Sequence, residues 1–92
     1  MIEVNLCLYY YALDFSGMKQ HRECSDQCKF ILPVRPMIND SIWVKISNGS
    51  VRSFRVFAVD LKHNGKILCK IESNYNLGEN KMLSNIEEVD ND

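Results

Sequence analysis

His21, Cys24 and Cys28 are spaced His-x-x-Cys-x-x-x-Cys, the one close cluster of metal-ligating residue types in the chain. Zinc takes four thiolate or imidazole ligands in a tetrahedron, typically supplied as two pairs. No second pair accompanies this one, because Cys7 and Cys69 stand singly in apolar runs and His63 adjoins an Asn-Gly turn. These three residues are therefore only weak metal candidates; no cofactor is expected, and a zinc-stabilised interaction module is the third reading of the chain. Nucleophilic catalysis requires a base beside the nucleophile and a group that holds the base. His21 near the cysteines, or His63 near Asp60, has neither a Gly-rich loop nor an oxyanion-hole signature beside it. The expectation is a protein that acts without catalysis.

Binding chemistry is better supplied. The formal charge is −1, yet residues 18–70 hold ten bases against four acids, a local net of +6, and the remaining acids lie toward the ends. Such a balance excludes a strongly acidic DNA mimic and a generic basic nucleic-acid coat, and leaves room for a localised basic surface. If Asn48-Gly49 is a two-residue turn, Lys45 faces Arg52 and Trp43 faces Phe54, which puts two cations and two rings on one face. Cations that track phosphates beside rings that stack on bases make a platform for single-stranded nucleic acid; a three-residue turn splits the set. Tyr9, Tyr10 and Tyr11 cannot all point inward from a strand, since successive side chains alternate. At least one meets solvent, a covering element or a partner, and tyrosine is enriched at protein interfaces, although a tyrosine hydrogen-bonded at a barrel rim is the equal alternative. The candidate partner-binding set is Tyr9, Tyr10, Tyr11, Trp43, Lys45, Arg52 and Arg55.

The elements that must carry these residues are strands. Ile2, Val4, Leu6 and Leu8 alternate with Glu3, Asn5, Cys7 and Tyr9, the period of a first strand. Residues 18–27 are polar without a clear period, and the apolar run Cys28 to Val34 ends in Pro33 and Pro36, which suits an edge strand. Residues 41–47, 50–61 and 66–73 are apolar runs separated by Asn48-Gly49 and Asn64-Gly65, the pattern of a three-stranded meander. With a two-residue turn at Asn64-Gly65, Leu61 faces Leu68 and Ala58 faces Ile71, and one face collects Phe54, Val56, Ala58, Ile67, Cys69 and Ile71 as core. The other face keeps Phe57, Val59, Leu61 and Leu68, so it must be covered, either by the strand curling into a barrel or by a partner. Met82, Leu83, Ile86 and Val89 fall at helical spacing and predict a short C-terminal helix. The fold class is mainly β: a small antiparallel β-barrel or strongly twisted meander sheet of about five strands, with that helix. Residues 1–84 form one compact domain and 85–92 an acidic, frayed tail.

A chain of 92 residues, 46% apolar, is too short for a dinucleotide-binding unit with a second domain or for a TIM barrel. No apolar run reaches the roughly 18–20 residues that span a bilayer, and the start Met1-Ile2-Glu3-Val4 has no basic n-region, so no secretory signal is expected; the expected partners exclude a membrane and the expected compartment is the cytoplasm, with thiols reduced.

Leu32-Pro33-Val34-Arg35-Pro36, then Asn39 to Val44, a hairpin and the closing run Lys66 to Glu72 resemble small β-rich proteins of phages and mobile elements. The Asn and Ile content and the single compact domain also look like the anti-defence inhibitors in that pool, anti-CRISPR proteins among them. The resemblance covers about half the chain and matches no residue of a named family's binding motif. It implies an inhibitor or adaptor that occupies a surface of a host or cognate protein or ribonucleoprotein complex, in the host cytoplasm. The runner-up is a single-stranded nucleic-acid-binding barrel.

Overall fold

The computed structural model describes residues 1–13, 15–21, 24, 26–73 and 77–86. It is all-β: β1 Ile2–Leu13, β2 Lys19–His21, β3 Asp26–Leu32, β4 Ser41–Lys45, β5 Val51–Leu61 and β6 Ile67–Ser73. The strands form one curled sheet in the order β3-β1-β6-β5-β4, with the three-residue β2 following β3 along the same edge of β1. The predicted meander is β4-β5-β6. The expectation of a wholly antiparallel sheet fails at one seam, where β1 lies parallel to β6 from Val4↔Ile67 to Tyr10↔Ser73. β1 earns this central place by its length and by Val4, Leu6 and Leu8, all at most 1% exposed.

Both Asn-Gly hairpins are one residue longer in the loop than the two-residue reading. Ile46 N–H donates to Ser50 O and Gly49 N–H to Ile46 O, and Lys62 N–H donates to Lys66 O and Gly65 N–H to Lys62 O. Each is a three-residue loop whose glycine alone takes a left-handed φ, +92° at Gly49 and +84° at Gly65. The asparagines act through their side chains, with Asn48 Oδ1 accepting from Ser50 N–H and Asn64 Oδ1 from Lys66 N–H.

The added residue changes the register. Leu61 faces Ile67, Asp60 faces Leu68, Val59 faces Cys69 and Ala58 faces Lys70, and a β-bulge between Val56 and Ala58 then brings Val56 opposite Ile71. Val59 thus replaces Ala58 on the core side, so the bulge relieves much of the apolar excess on the other face. Of the residues assigned to that face, Phe57 meets the Tyr9 ring edge-on at 5.4 Å, and Lys70, ion-paired to Asp60 at 3.3 Å, lies over the same tyrosine, while Leu61 stays exposed.

The described C-terminal segment is extended rather than helical. Met82 bridges Ile46 antiparallel, Ser47 N–H donates to Lys81 O, and Leu83 N–H donates to Lys45 O. The segment then leans to the opposite edge of the curled sheet. Met82 N–H donates to Asp26 Oδ2, Ser84 Oγ donates to Lys29 O, and the Asn85 amide both accepts from Ile31 N–H and donates to Ile31 O. Residues 81–85 therefore close the half-barrel, running antiparallel to β4 and in the same direction as β3. An extended segment supplies the backbone partners that two open sheet edges need, which a helix cannot. Asn85 belongs to this closure, and the acidic run 87–92 lies outside the described residues.

Candidate functional site

The register separates the residues that a two-residue turn would have gathered. Trp43 faces Ser53, Lys45 faces Val51, Arg52 faces Val44 and Phe54 faces Ile42. Phe54 is buried at 3% exposure, so the stacking platform of Trp43 with Phe54 is not built. The pairing of Lys45 with Arg52 falls with it.

The three tyrosines divide as the alternation requires. Tyr10 packs against the core and its hydroxyl accepts from Leu77 N–H at 3.0 Å, a rim position that ties β1 to the chain after β6. Tyr9 belongs to the outer cluster with Phe57 and Lys70. Tyr11 lines a cleft of about 280 Å³ with Arg52, Arg55 and Glu72. In that cleft the Arg55 guanidinium donates to Glu72 Oε1 through Nε at 2.8 Å and also through Nη2. Glu72 is buried and its charge is answered by Arg55, so this cation serves the fold before it serves a partner.

Trp43 and Lys45 lie elsewhere, on a groove of about 540 Å³ at the seam where the half-barrel closes. One wall is the outer side of the β4-β5 hairpin with Trp43 and Val51; the other is the end of β3 with Ile31, Leu32 and Pro33, and Leu83 stands between them. Trp43 is 66% exposed, Val51 56% and Leu83 42%. Among the described residues that line this apolar groove, Lys45 is the one charged side chain. Sequence reasoning picked out Trp43 and Lys45 and missed Ile31, Leu32, Pro33 and Leu83. Their contribution depends on closure between chain segments some fifty residues apart, for which local pattern carries no signal.

The cysteines are free thiols. Cys24 donates to Asp26 O at 3.1 Å, and Cys7, which its strand position marked as solitary, lies on the same side as Cys24 and points toward Gln27 Oε1. Cys28 instead faces the core opposite Leu6. Among the described residues no group of three or more metal-ligating side chains converges, and the side chain of His21 lies outside them. Burial pushes Cys28 and Cys69 up to about 11 and Cys7 to about 12, aided at Cys7 by its hydrogen bond with Cys24. At neutral pH these three are protonated thiols and poor nucleophiles.

Fold and site together define a small half-barrel β domain with an apolar groove, edged by Lys45, at its seam. No protein-family model, curated protein or solved structure gives a significant match to the chain. Among the described residues no helix is long and apolar enough to cross a membrane.

Proposed function

We propose that the chain is a non-catalytic protein-binding domain that acts as an inhibitor or adaptor by occupying a partner's surface, with the Trp43 groove as the contact. The observation that carries this reading is the exposure of the chain's one tryptophan beside Val51 and Leu83 on a concave apolar surface. Leaving a ring of that size in water forgoes burial worth a few kcal/mol, and tryptophan is the residue most enriched among interface hot spots. An inhibitor of the anti-defence type is the form of this reading that the sequence resemblance implies. Single-stranded nucleic acid is less well served, because Phe54 is withdrawn into the core and Arg55 is committed to Glu72.

Trp43 also provides the measurement. Proteins captured from extract on the immobilised wild type are titrated back against the free domain. Their docking shifts Trp43 emission to the blue and protects it from acrylamide quenching. Trp43→Ala leaves thermal stability within about 0.5 kcal/mol, as expected at an exposed site, and weakens binding by about 2 kcal/mol or more, roughly thirtyfold. Equal affinity for wild type and variant overturns the reading. So does a steeply salt-dependent affinity for labelled single strands in place of a protein partner.

A further inference from the structure

The groove is bordered by an open strand edge. Ile46 N–H donates to Ser50 O and Val56 N–H to Asp40 O, which fixes the parity of the β4-β5 ladder: Ile42 and Val44 turn their backbone groups toward β5. Trp43 and Lys45 must therefore turn theirs outward. The same parity appears where the edge is already used, since Lys45 C=O accepts from Leu83 N–H and Ser47 N–H donates to Lys81 O. Beyond that point the C-terminal segment leaves β4 for β3, where Ser84 and Asn85 are anchored. The N–H and C=O of Trp43 and the N–H of Lys45 are left without a hydrogen-bond partner among the described residues.

The seam is thus one strand wide and half filled. At Lys81 to Leu83 the chain's own extended segment completes the ladder on β4; alongside Trp43 the corresponding space is the apolar groove. Resting on the reading of this groove as the binding surface, we infer that it takes an extended segment of a protein partner, added as a strand on the β4 edge. Strand addition draws affinity from main-chain hydrogen bonds and specificity from pockets for alternate side chains. The pockets here are apolar, formed by Ile31, Leu32, Pro33, Val51 and Leu83, and among the described residues that line the groove Lys45 is the one charge. The segment that fits carries alternating apolar residues with an aspartate or glutamate placed to meet Lys45.

The probe is a displayed library of random twelve-residue peptides, panned on the immobilised full chain and counter-selected on Trp43→Ala. Enriched peptides share alternating apolar positions and a carboxylate, and bind the free domain with a blue shift of Trp43. Lys45→Ala removes the charge and weakens them several-fold. Lys45→Pro removes in addition only an outward N–H, which an edge strand tolerates, and weakens them at least a further tenfold with unchanged circular dichroism. Should that variant not fold, N-methylation of the peptide decides in its place: methyl groups on alternate amides abolish binding while those on the intervening amides leave it intact. Loss with Trp43→Ala but no effect of Lys45→Pro and no N-methyl parity overturns strand addition and leaves the binding face standing. Failure to enrich any peptide, while captured proteins still depend on Trp43, does the same. A dimer in sedimentation that Lys45→Pro dissolves assigns the edge to a second copy of this chain. A tenfold gain in peptide affinity on truncation after Ile86 assigns the groove to the chain's own end. Either result overturns the proposal.

Discussion

Ile71→Ala lowers the unfolding free energy by about 3–4 kcal/mol, while Ile71→Val lowers it by about 1 kcal/mol. Ile71 is fully buried on β6 and faces Leu8 of β1 on one side and Val56 of β5 on the other, both also fully buried. It joins the β1-β3 pair to the β4-β5 pair, which among the described residues meet through β6 on this side and through the closing segment 81–85 on the other. A domain of this size holds only about 5–14 kcal/mol in total, so the alanine removes a large fraction and lowers Tm by roughly 15–25 °C. Urea unfolding followed by far-ultraviolet circular dichroism measures both variants. A cost below about 1.5 kcal/mol for the alanine would mean that the two halves do not share one core. A change in the slope with urea would show that they no longer unfold together.

The residues that make this junction were legible in the sequence, and the register that brings them together was not. The alternation of Ile2, Val4, Leu6 and Leu8 marked the inner face of β1, and the inner positions Cys69 and Ile71 of β6 followed from the same period. The Asn-Gly pairs located both hairpins but left their length open, since a glycine in the left-handed region serves a two-residue and a three-residue loop alike. One residue of loop decides which side chains share a face. Here it moved Phe54 away from Trp43 and, with the bulge after Val56, exchanged Ala58 for Val59 in the core. The C-terminal helix failed for a different reason. Met82, Leu83 and Ile86 satisfy helical spacing, but Lys81, Met82 and Leu83 also alternate exposed, buried, exposed, and the unpaired edges of β3 and β4 favour the extended form. That demand arises only after a sheet has curled, so no local window contains it. The groove is a product of the same closure, which is why Trp43 stood out in the sequence and the walls around it did not.

The buried thiols set the alkaline limit of the fold. Cys69 is fully buried, and burial first, then the Asp40 carboxylate, raises it from an ordinary thiol value near 9 to about 11. Cys28, raised by burial and Asp26, reaches about 11. Cys7 reaches about 12, through burial, its hydrogen bond with Cys24 and the repulsion of the neighbouring sulfurs, against the opposing charge of Lys70. A raised value means that the fold prefers the protonated form, while the unfolded chain gives up its proton near pH 9. Stability is therefore flat below about pH 8.5 and is lost as the pH climbs through 9 toward 11–12. At about pH 10.5 the Cys69 contribution alone is of order 2 kcal/mol. The decisive quantity is a difference. Cys69→Ala costs stability at pH 8 through its cavity, yet loses less than the wild type between pH 8 and 10.5, by about that amount. If wild type and variant fall in parallel, the Cys69 thiol is not what the alkaline transition senses, and Cys28→Ala and Cys7→Ala, tested in the same way, divide the remaining loss between the core face and the outer face of the β1-β3 pair.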